Sequence, residues 1–540
     1  MGRAGAGDLR GGCDSAGRIG PCGFMSETQI AIVGCGPKGL YALDSLCEAA
    51  RRSPRHRFTV HIFEPSVHPG AGPIYDPRQP EVLLMNFPAG LINAWTGGRG
   101  PSFLEWAARS PKPVDAGDYV PRAHVGRYLL WSFERVVEQA PSNVRTIRHK
   151  TRVDALKCNG DRWGISPQNV TVDHVLIMTG HQDGFRQGEA DTYDHISSPF
   201  PIDQRLTQIA VPPNSTVRCK GFALTFIDTM LALTEGRGGV FTLSATGYNY
   251  APSGQEPRRI APFSRSGRPM RARVEAALFT QPQDDAFWDE RRAALSQILR
   301  APNTTFTHHI WPAFLSFADR VLGNPSGTSA DFFTHRTETT FTPDEIRQDL
   351  RIGYDIAMGR RAQDSAWALA EVWRRCYPQL IDWISHRELT PDDAHHFHQI
   401  AAEMERLAFG PPAQNIGKLI TLEQAGIVSF DHMSGEAAAD VTINATIPPA
   451  GGAELAAPLD GLLRDGHLSI GTMGGVRVDK NAHALTRDGN AKGLSVIGRA
   501  TEGYVLGNDT LSRSLHDLPE NWAAAVVQNA RQSNALEHSL

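Results

Sequence analysis

The chain has 540 residues, of which 41% are hydrophobic and 21% are charged, and its net charge at pH 7 is −4. This length predicts two or three domains. The near-neutral charge argues against a dedicated nucleic-acid binder, and no apolar run approaches the roughly 18–20 residues that a bilayer span needs. We therefore expect a cytoplasmic protein with no nucleic-acid partner and no membrane partner.

Residues 1–25 are rich in glycine and arginine and contain no apolar segment of a secretory signal. We expect them to form a disordered leader, and the sequence leaves open whether Met1 or Met25 is the start. The 7 cysteines are scattered without a CxxC pair. That pattern argues against a disulfide framework, a structural zinc site and a dithiol flavin reductase.

The first predicted strand breaks into glycines in the sequence QIAIVGCGPKG and then opens a helix-forming run. The first glycine permits a tight turn, the second lets the backbone approach a pyrophosphate, and the third lets helix and strand pack closely. The helix N-terminus then offers free N–H groups to an anion. We predict a dinucleotide-binding turn whose cofactor-binding residues are Gly34, Gly36, Pro37, Lys38 and Gly39.

The next predicted strand alternates from Phe58 to Phe63 and ends at Glu64. An acid at that point suits a ribose with free hydroxyls and repels a 2′-phosphate. The first site is therefore predicted to hold FAD or NAD rather than NADP. The alternative is a glycine-rich turn followed by an ordinary surface glutamate.

A buried strand from His174 to Met178 ends in Thr179 and Gly180. In flavoproteins with two dinucleotide sites, such a turn commonly returns the chain to the cofactor, so both residues join the predicted site. Residues 26–200 are predicted to form the first part of an FAD-binding domain.

A second strand–helix unit is predicted within residues 201–280, with a strand leading into Gly221, a helix over Leu224–Thr234 and a new strand from Val240. Lys220 and Ala223 stand where a regular fingerprint would have glycines. Two interpretations remain open: a pyridine-nucleotide site of unusual geometry, or a structural unit that has lost its ligand.

Four arginines follow this unit and could grip a 2′-phosphate through charge-assisted hydrogen bonds. We single out Arg265 as the candidate, and the alternative for the group is a solvated basic loop. The four are Arg258, Arg259, Arg265 and Arg268.

Residues 281–425 are predicted to be a mostly helical insertion that shapes the substrate pocket. Thr342 and Thr390 each precede a proline and acidic residues, which is typical of a capped helix start. Three histidines, His395, His396 and His398, resemble metal ligands, but their spacing favours an ordinary helix face. No metal site is predicted.

The chain then returns to strands, so residues 426–465 are assigned to the second unit and residues 466–540 to the FAD-binding domain. A buried strand ends at Gly498, and a helix is predicted to start near Thr510. A helix N-terminus there would stabilise the electron-rich side of a reduced flavin. Gly498, Asp509 and Thr510 are therefore predicted to bind the cofactor.

Together these segments resemble FAD/NAD(P)-binding flavoproteins, distant relatives of the N-hydroxylating and Baeyer–Villiger flavin monooxygenases. The resemblance rests on GCGPKGLYAL, GAGPIYDP, YVPRAHVGRYL, GFALTFIDTMLALTEGRGG, APSGQEPR and IGRATEGYVLGNDTLSRSLHD. It implies an α/β fold with two Rossmann-like dinucleotide-binding units and a helical insertion. It also implies a flavin ring near Leu84–Asn93, a loop that contains Asn86, and near Gly498–Thr510, with a nicotinamide coenzyme near Gly221.

Some members of this family oxidise amino groups of amino acids, aspartate included, in natural-product pathways. The leading hypothesis is therefore an FAD-dependent monooxygenase that uses NADPH and O2 to oxidise the amine of a small polar substrate. The flavin would carry the oxygen chemistry, which accounts for the absence of a recognisable catalytic triad or carboxylate pair. Arg122 and Arg127 could hold a substrate carboxylate or a cofactor phosphate, or could stabilise a surface turn.

Two alternatives remain open. One is a flavin-dependent dehydrogenase or reductase without oxygen insertion. The other is a non-catalytic FAD-binding protein whose second unit no longer takes a nicotinamide coenzyme.

Overall fold

The computed structural model describes residues 26–537 except 110–112, 181–190, 246, 275–282, 434, 436–437, 448–450 and 453–454. The predicted leader, residues 1–25, lies outside the described residues. The strands are β1 (Ser26–Val33), β2 (His56–Phe63), β3 (Val144–His149), β4 (Ala155–Asn159), β5 (Arg162–Ser166), β6 (Val170–Val172), β7 (His174–Ile177), β8 (His195–Ile196), β9 (Thr216–Lys220), β10 (Val240–Ser244), β11 (Gly247–Ala251), β12 (Arg259–Phe263), β13 (Val441–Asn444), β14 (His483–Leu485) and β15 (Asn490–Val496).

The helices are α1 (Pro37–Arg51), α2 (Phe103–Ala107), α3 (Arg122–Glu138), α4 (Ile202–Arg205), α5 (Leu224–Leu233), α6 (Asp285–Arg300), α7 (Trp311–Leu322), α8 (Thr328–Glu338), α9 (Pro343–Ala357), α10 (Ser365–Ile384), α11 (Pro391–Ala408), α12 (Ala413–Gln424), α13 (Leu459–Arg464) and α14 (Leu518–Glu537). The described part of the chain contains no helix that is both long enough and apolar enough to cross a bilayer.

The first unit is built on a six-stranded sheet in the order β14-β15-β7-β1-β2-β3. All neighbouring strands are parallel except β14, which is antiparallel to β15. Ile30, Ile32, Val60, Leu176 and Val496 are buried in its core, as expected for a parallel sheet that is covered on both faces. Because β15 completes this sheet, the end of the chain belongs to the same unit as its beginning.

The second unit is built on a four-stranded parallel sheet in the order β12-β9-β13-β8. The strand expected from Val240 exists as β10, but it does not lie beside β9. It pairs with β11 in an antiparallel hairpin, because only residues 245 and 246 separate the two strands and so short a connection favours a hairpin over a crossover. The predicted strand from Val240 is thus confirmed, but it lies outside this sheet, where the strand next to β9 is β12.

Seven helices, α6 to α12, lie between β12 and β13, and an aromatic core that includes Phe314, Trp373 and Phe397 holds several of them together. Thr342 caps α9 in a complete capping box, and the Thr390 side chain accepts a hydrogen bond from the Asp393 N–H at the start of α11. Both predicted caps are confirmed. Two small antiparallel sheets, β4-β5-β6 and β10-β11, complete the described fold.

Candidate functional site

The glycine turn after β1 has the geometry of a diphosphate cradle. A Cβ atom at Gly34, where φ is +86°, would lie 2.4 Å from the Met178 carbonyl oxygen, and a Cβ atom at Gly39 would lie 2.8 Å from the Gly34 carbonyl oxygen. At Gly36 the nearest heavy atom would be 3.7 Å away, so the space is open. Helix α1 begins at Pro37 with no side chain capping its N–H groups. The free N–H groups and the open space fit a nucleotide diphosphate.

Glu64 lies where the fold places the ribose of a bound dinucleotide, directly after β2. The Cys35 N–H donates to Glu64 Oε2 at 2.8 Å, and the Ser66 N–H donates to Oε1 at 2.9 Å. These bonds hold the carboxylate against the glycine turn. The residues of the first unit therefore fit FAD.

Thr179 and Gly180 follow β7 beside this turn. The Met178 N–H donates to the Val33 carbonyl at 2.7 Å, and a Cβ atom at Gly34 would lie 3.2 Å from the Thr179 Cα. Gly180 is exposed and has φ of +64°. The structure thus brings Thr179 next to Gly34.

Lys38 connects the turn to the loop that follows β15. Its Nζ donates to the Ser512 carbonyl at 3.2 Å, and its Cγ would lie 3.9 Å from a Cβ atom at Gly498. Burial lowers the pKa of Lys38 to about 8, although the carboxylates of Asp509 and Glu502 act in the opposite direction. We refer to the space bordered by Lys38, Gly498 and Asp509 as the cleft; Lys38 is half-buried there and Asp509 is exposed.

The helix predicted near Thr510 is absent from that position, since α14 begins at Leu518. The Glu502 carboxylate instead accepts hydrogen bonds from the N–H groups of Gly507 at 2.9 Å and Asn508 at 2.7 Å. These bonds and the φ of +74° at Gly507 form a non-helical turn. No helix dipole acts at Thr510, whose hydroxyl donates to the Gly507 carbonyl at 3.1 Å.

The second unit repeats the geometry of the first. The Gly221 N–H donates to the Phe263 carbonyl at 2.9 Å, as the Gly34 N–H donates to the Phe63 carbonyl at 2.9 Å. A Cβ atom at Gly221, where φ is +115°, would lie 2.9 Å from the Ala445 carbonyl oxygen. Helix α5 begins three residues after Gly221, and α1 begins three residues after Gly34.

This equivalence corrects the sequence comparison of the two fingerprints. Lys220 is the last residue of β9 and not a glycine position. The real departures are Ala223 at the place of Gly36 and Phe226 at the place of Gly39. Ser264 follows β12 where Glu64 follows β2, so the second unit lacks the acid that would repel a 2′-phosphate.

The four predicted arginines lie in different places. Arg265 is exposed directly after Ser264, at the carboxyl edge of the sheet where such folds bind ligands. Arg268 forms an ion pair with Glu403 at 2.8 Å, so its guanidinium group already has a partner within the protein. Arg258 and Arg259 lie at the opposite, amino end of β12. Of the four, only Arg265 is placed to meet a 2′-phosphate.

Arg122 and Arg127 are both paired with carboxylates. Arg122 forms a buried ion pair with Asp228, and Arg127 forms an exposed one with Glu81 at 3.0 Å. Arg122 therefore joins α3 of the first unit to α5 of the second, a role that neither sequence interpretation anticipated.

The last turn of α11 is contacted from both units. The Asn86 side chain donates to the Phe409 carbonyl at 3.3 Å. Arg273, in the segment after β12, and Arg374 of α10 both donate to the Ala408 carbonyl, at 3.2 and 2.8 Å. We call Arg273 and Arg374 the arginine pair.

The surroundings of the arginine pair are short of negative charge. Arg374 and Arg375 share the single carboxylate of Glu371 at 2.6 and 3.3 Å. Burial and the neighbouring Arg374 lower the pKa of Arg273. Such an excess of guanidinium groups favours a bound carboxylate.

The three histidines of α11 make ordinary side-chain contacts. His395 hydrogen-bonds Gln399 at 2.9 Å, and His396 hydrogen-bonds Thr307 at 3.2 Å. Over the residues that the structure describes, no group of three or more His, Cys, Asp or Glu side chains is arranged to hold a metal ion.

Sequence reasoning missed Ser264, the arginine pair and two further residues of the cleft, Glu405 and Tyr377. Ser264 does have a sequence signal, because it directly follows a strand, and that strand lies beside the one that leads into the glycine turn at Gly221. The others lie on amphipathic helices or an irregular segment, where no local pattern separates a cleft residue from a surface residue.

Comparison with known proteins agrees with the prediction that the first unit binds a dinucleotide. A family profile described as FAD-NAD(P)-binding matches residues 31–182. Nitrosuccinic acid synthase npaA of Aspergillus oryzae is 33% identical over 322 residues, which cover 53% of this chain and 48% of the relative. The L-aspartate N-monooxygenase (nitrosuccinate-forming) of Streptomyces cremeus is 32% identical over 335 residues, which cover 53% of this chain and 50% of the relative.

The chain thus spans about half the length of the curated relatives it matches. Among solved structures, ornithine hydroxylase PvdA from Pseudomonas aeruginosa aligns over 93% of this chain and 99% of its own, with a TM-score of 0.49 and 12% identity. A likeness this low says nothing about activity. The family profile over residues 31–182 includes the glycine turn, and its description as FAD-NAD(P)-binding agrees with the prediction of a dinucleotide-binding unit there.

Proposed function

We propose that the chain is an FAD-dependent monooxygenase that uses NADPH and O2 to oxidise the amino nitrogen of a small acidic amino acid of the aspartate type. The observation that carries the proposal is the pair of equivalent nucleotide-binding units that both contact the last turn of α11, beside the arginine pair. The names of the relatives, a nitrosuccinic acid synthase and a nitrosuccinate-forming L-aspartate N-monooxygenase, support the same substrate class.

The two cofactors would be held by different turns. The free N–H groups of α1 and the open space at Gly36 would hold the FAD diphosphate, and Glu64 would bind a ribose. Ser264 and Arg265 would donate hydrogen bonds to the 2′-phosphate of NADPH at the second unit. When bound, the flavin supplies hydride acceptance and oxygen activation.

The residues of the chain would bind, orient and enclose the substrate. The arginine pair would bind its carboxylates, which fixes the position of the amine in the cleft. The rings of Tyr377 and Phe409, 5.6 Å apart, form an apolar wall that limits access of water.

One observation favours the non-catalytic alternative. Ala223 carries a methyl group where the first unit has Gly36, so a dinucleotide would approach the second turn less closely. If the second unit does not bind NADPH, the flavin has no hydride source.

The test uses the full chain saturated with FAD. NADPH is added without oxygen while the visible flavin band is followed, and L-aspartate and air are then admitted before mass spectrometry. We expect bleaching of the band and then aspartate-derived products that have gained oxygen on nitrogen. A flavin that stays oxidised with NADPH would support the non-catalytic alternative, and turnover with L-aspartate that yields no oxygenated product would exclude oxidation of aspartate.

Gly36→Val tests whether the flavin lies where the proposal places it. Gly36 has φ of −77° and an open Cβ position, so valine should fold there but fill the space of the diphosphate. We expect purified Gly36→Val to be colourless. Gly461→Val is the matched control, because its Cβ atom also has 3.7 Å of clearance, and it should retain flavin.

A further inference from the structure

Glu405 is a carboxylate of the cleft that the proposed function does not yet use. It lies on α11, three residues before Ala408, whose carbonyl binds both members of the arginine pair. No donor among the described residues reaches its carboxylate, although its side chain is open to solvent. The Glu405 carboxylate is therefore available to a ligand.

Contacts of Tyr377 place the end of α11 that carries Glu405 beside the loop after β15. The Tyr377 ring lies 5.6 Å from the ring of Phe409, the residue that follows α11, and a Cβ atom at Gly507 would lie 3.5 Å from the Tyr377 hydroxyl oxygen. The carboxylate of Asp509, in the same loop, interacts electrostatically with Glu405. Tyr377 of α10 is half-buried and also interacts with Glu405, Glu502 and Asp509, and its hydroxyl has no hydrogen-bond partner in the described part of the chain. An unpartnered, half-buried phenol is a position that a ligand can satisfy.

The spacing of these groups matches an amino acid. Residues three apart on a helix are neighbours, with roughly 5–6 Å between Cβ atoms. A carboxylate held by the arginine pair at Ala408 would therefore place an attached ammonium group within reach of Glu405. The cleft thus offers positive charge for the acid groups of the substrate and negative charge for its amine.

Oxidation of an amine at nitrogen requires a free lone pair, which the ammonium form lacks. We infer that Glu405 accepts the proton of the bound substrate ammonium group, an inference that rests on the proposed function. In this step one N–H bond of the ammonium breaks, its electron pair stays on nitrogen, and the proton forms an O–H bond with the Glu405 carboxylate. The products are a neutral amine and a neutral carboxylic acid, so atoms and charges balance.

The surroundings of Glu405 suit this task. An ordinary glutamate, with a pKa of about 4.3, is a poor acceptor for an ammonium proton. Although the side chain is accessible to solvent, the protein that surrounds it disfavours the charged form, and together with Asp509 this raises the pKa of Glu405 to about 8. The other ionisable groups near this end of the cleft are Glu502, Tyr377 and Lys38.

Glu405→Gln in the FAD-loaded full chain tests the inference. Anaerobic reduction of the flavin by NADPH should stay within twofold of the unsubstituted chain, which shows that the protein is folded and loaded. Oxygenation of L-aspartate at pH 7.5 should fall about 100-fold, in the usual range for loss of a positioned base. The increase of the oxygenation rate with pH near 8 should disappear. Glu338→Gln, an exposed glutamate of α8, should change none of these values.

Calorimetry provides a measurement that needs no turnover and no variant. L-aspartate is titrated into the oxidised FAD-loaded chain in two buffers of different ionisation enthalpy. At pH 7 Glu405 is mostly protonated before binding, so binding should release on the order of one proton, and the release should vanish well above pH 8. Glu405→Gln should release none.

The outcomes separate the two proposals. If the unsubstituted chain oxidises aspartate while Glu405→Gln keeps its pH profile and proton release, the inference is wrong and the proposed function stands. If the unsubstituted chain neither binds nor oxidises aspartate, both fall.

Discussion

Glu64 and Ser264 occupy the same place in the two nucleotide-binding units, directly after the strand that neighbours the glycine turn. A carboxylate there accepts hydrogen bonds from ribose hydroxyls and repels a 2′-phosphate, whereas a serine followed by an arginine accommodates that phosphate. On the proposed function, one residue position would therefore distinguish the FAD site from the NADPH site within the same local geometry.

Arg265→Ala should weaken binding of NADP+ by about 10- to 100-fold, because a hydrogen bond to a charged group contributes about 1.5–3 kcal/mol. Binding of NAD+, which lacks the phosphate, should change little. Fluorescence titration of the oxidised chain with both coenzymes measures this. Arg258→Ala, at the amino end of β12, is the control and should bind both as before. Equal losses for both coenzymes would contradict the assignment.

At the scale of elements, Asp393 ties two helices of the insertion together. Its carboxylate accepts hydrogen bonds from the N–H groups of Phe306 and Thr307, both at 2.8 Å, and from the Thr307 hydroxyl at 2.5 Å. The first turn of α11 is thereby fixed to the turn that leads into α7. Although burial acts to raise it, hydrogen bonds from Thr307 and Phe306 lower the pKa of Asp393.

A lowered pKa in the folded state means that the ionised Asp393 stabilises the fold above the pKa of an unfolded aspartate, near 3.9. That stabilisation is lost as the pH falls through the folded pKa. Asp393→Asn should therefore lower the free energy of unfolding by about 1–3 kcal/mol at pH 7, and the difference should shrink below about pH 4. Urea unfolding at several pH values measures this. Asp392→Asn, the exposed neighbour, should have a much smaller effect, and equal effects of the two substitutions would refute the explanation.

At the scale of the whole molecule, the ion pair of Arg122 and Asp228 joins the two units. Its side chains are 10% and 4% exposed. Burial raises the pKa of Asp228, while the guanidinium of Arg122 opposes that shift. Because water cannot replace either partner, removal of one leaves a buried charge without compensation.

Asp228→Ala should destabilise the chain by about 3–5 kcal/mol, the usual cost of breaking a buried pair from one side. The double substitution Arg122→Met and Asp228→Leu should recover most of that loss, since no charge is left buried. Thermal unfolding of the single and double variants measures the coupling. A double variant as unstable as the sum of its single substitutions would show that Arg122 and Asp228 are not energetically coupled.

Local patterns predicted the elements whose geometry depends on a few consecutive residues. The strand before Gly34, the glycine turn, helix α1, the strand that ends before Glu64 and the caps at Thr342 and Thr390 all have such patterns. The helix expected near Thr510 is absent because a side-chain contact decides the backbone there. The carboxylate of Glu502 holds residues 507–508 in a turn.

The sequence by itself determined that the turn at Gly36 can accommodate a nucleotide diphosphate and that an acid, Glu64, ends the next strand. This is possible because the strand, the glycines and the helix are consecutive in the chain. Only the tertiary structure decided that Ser264 is the counterpart of Glu64, that Arg268 is already paired with Glu403, and that the arginine pair contacts the turn of α11 that follows Glu405. The physical reason is that a turn depends on backbone angles set by neighbouring residues, whereas a cleft depends on charges that packing brings together from segments far apart in the chain.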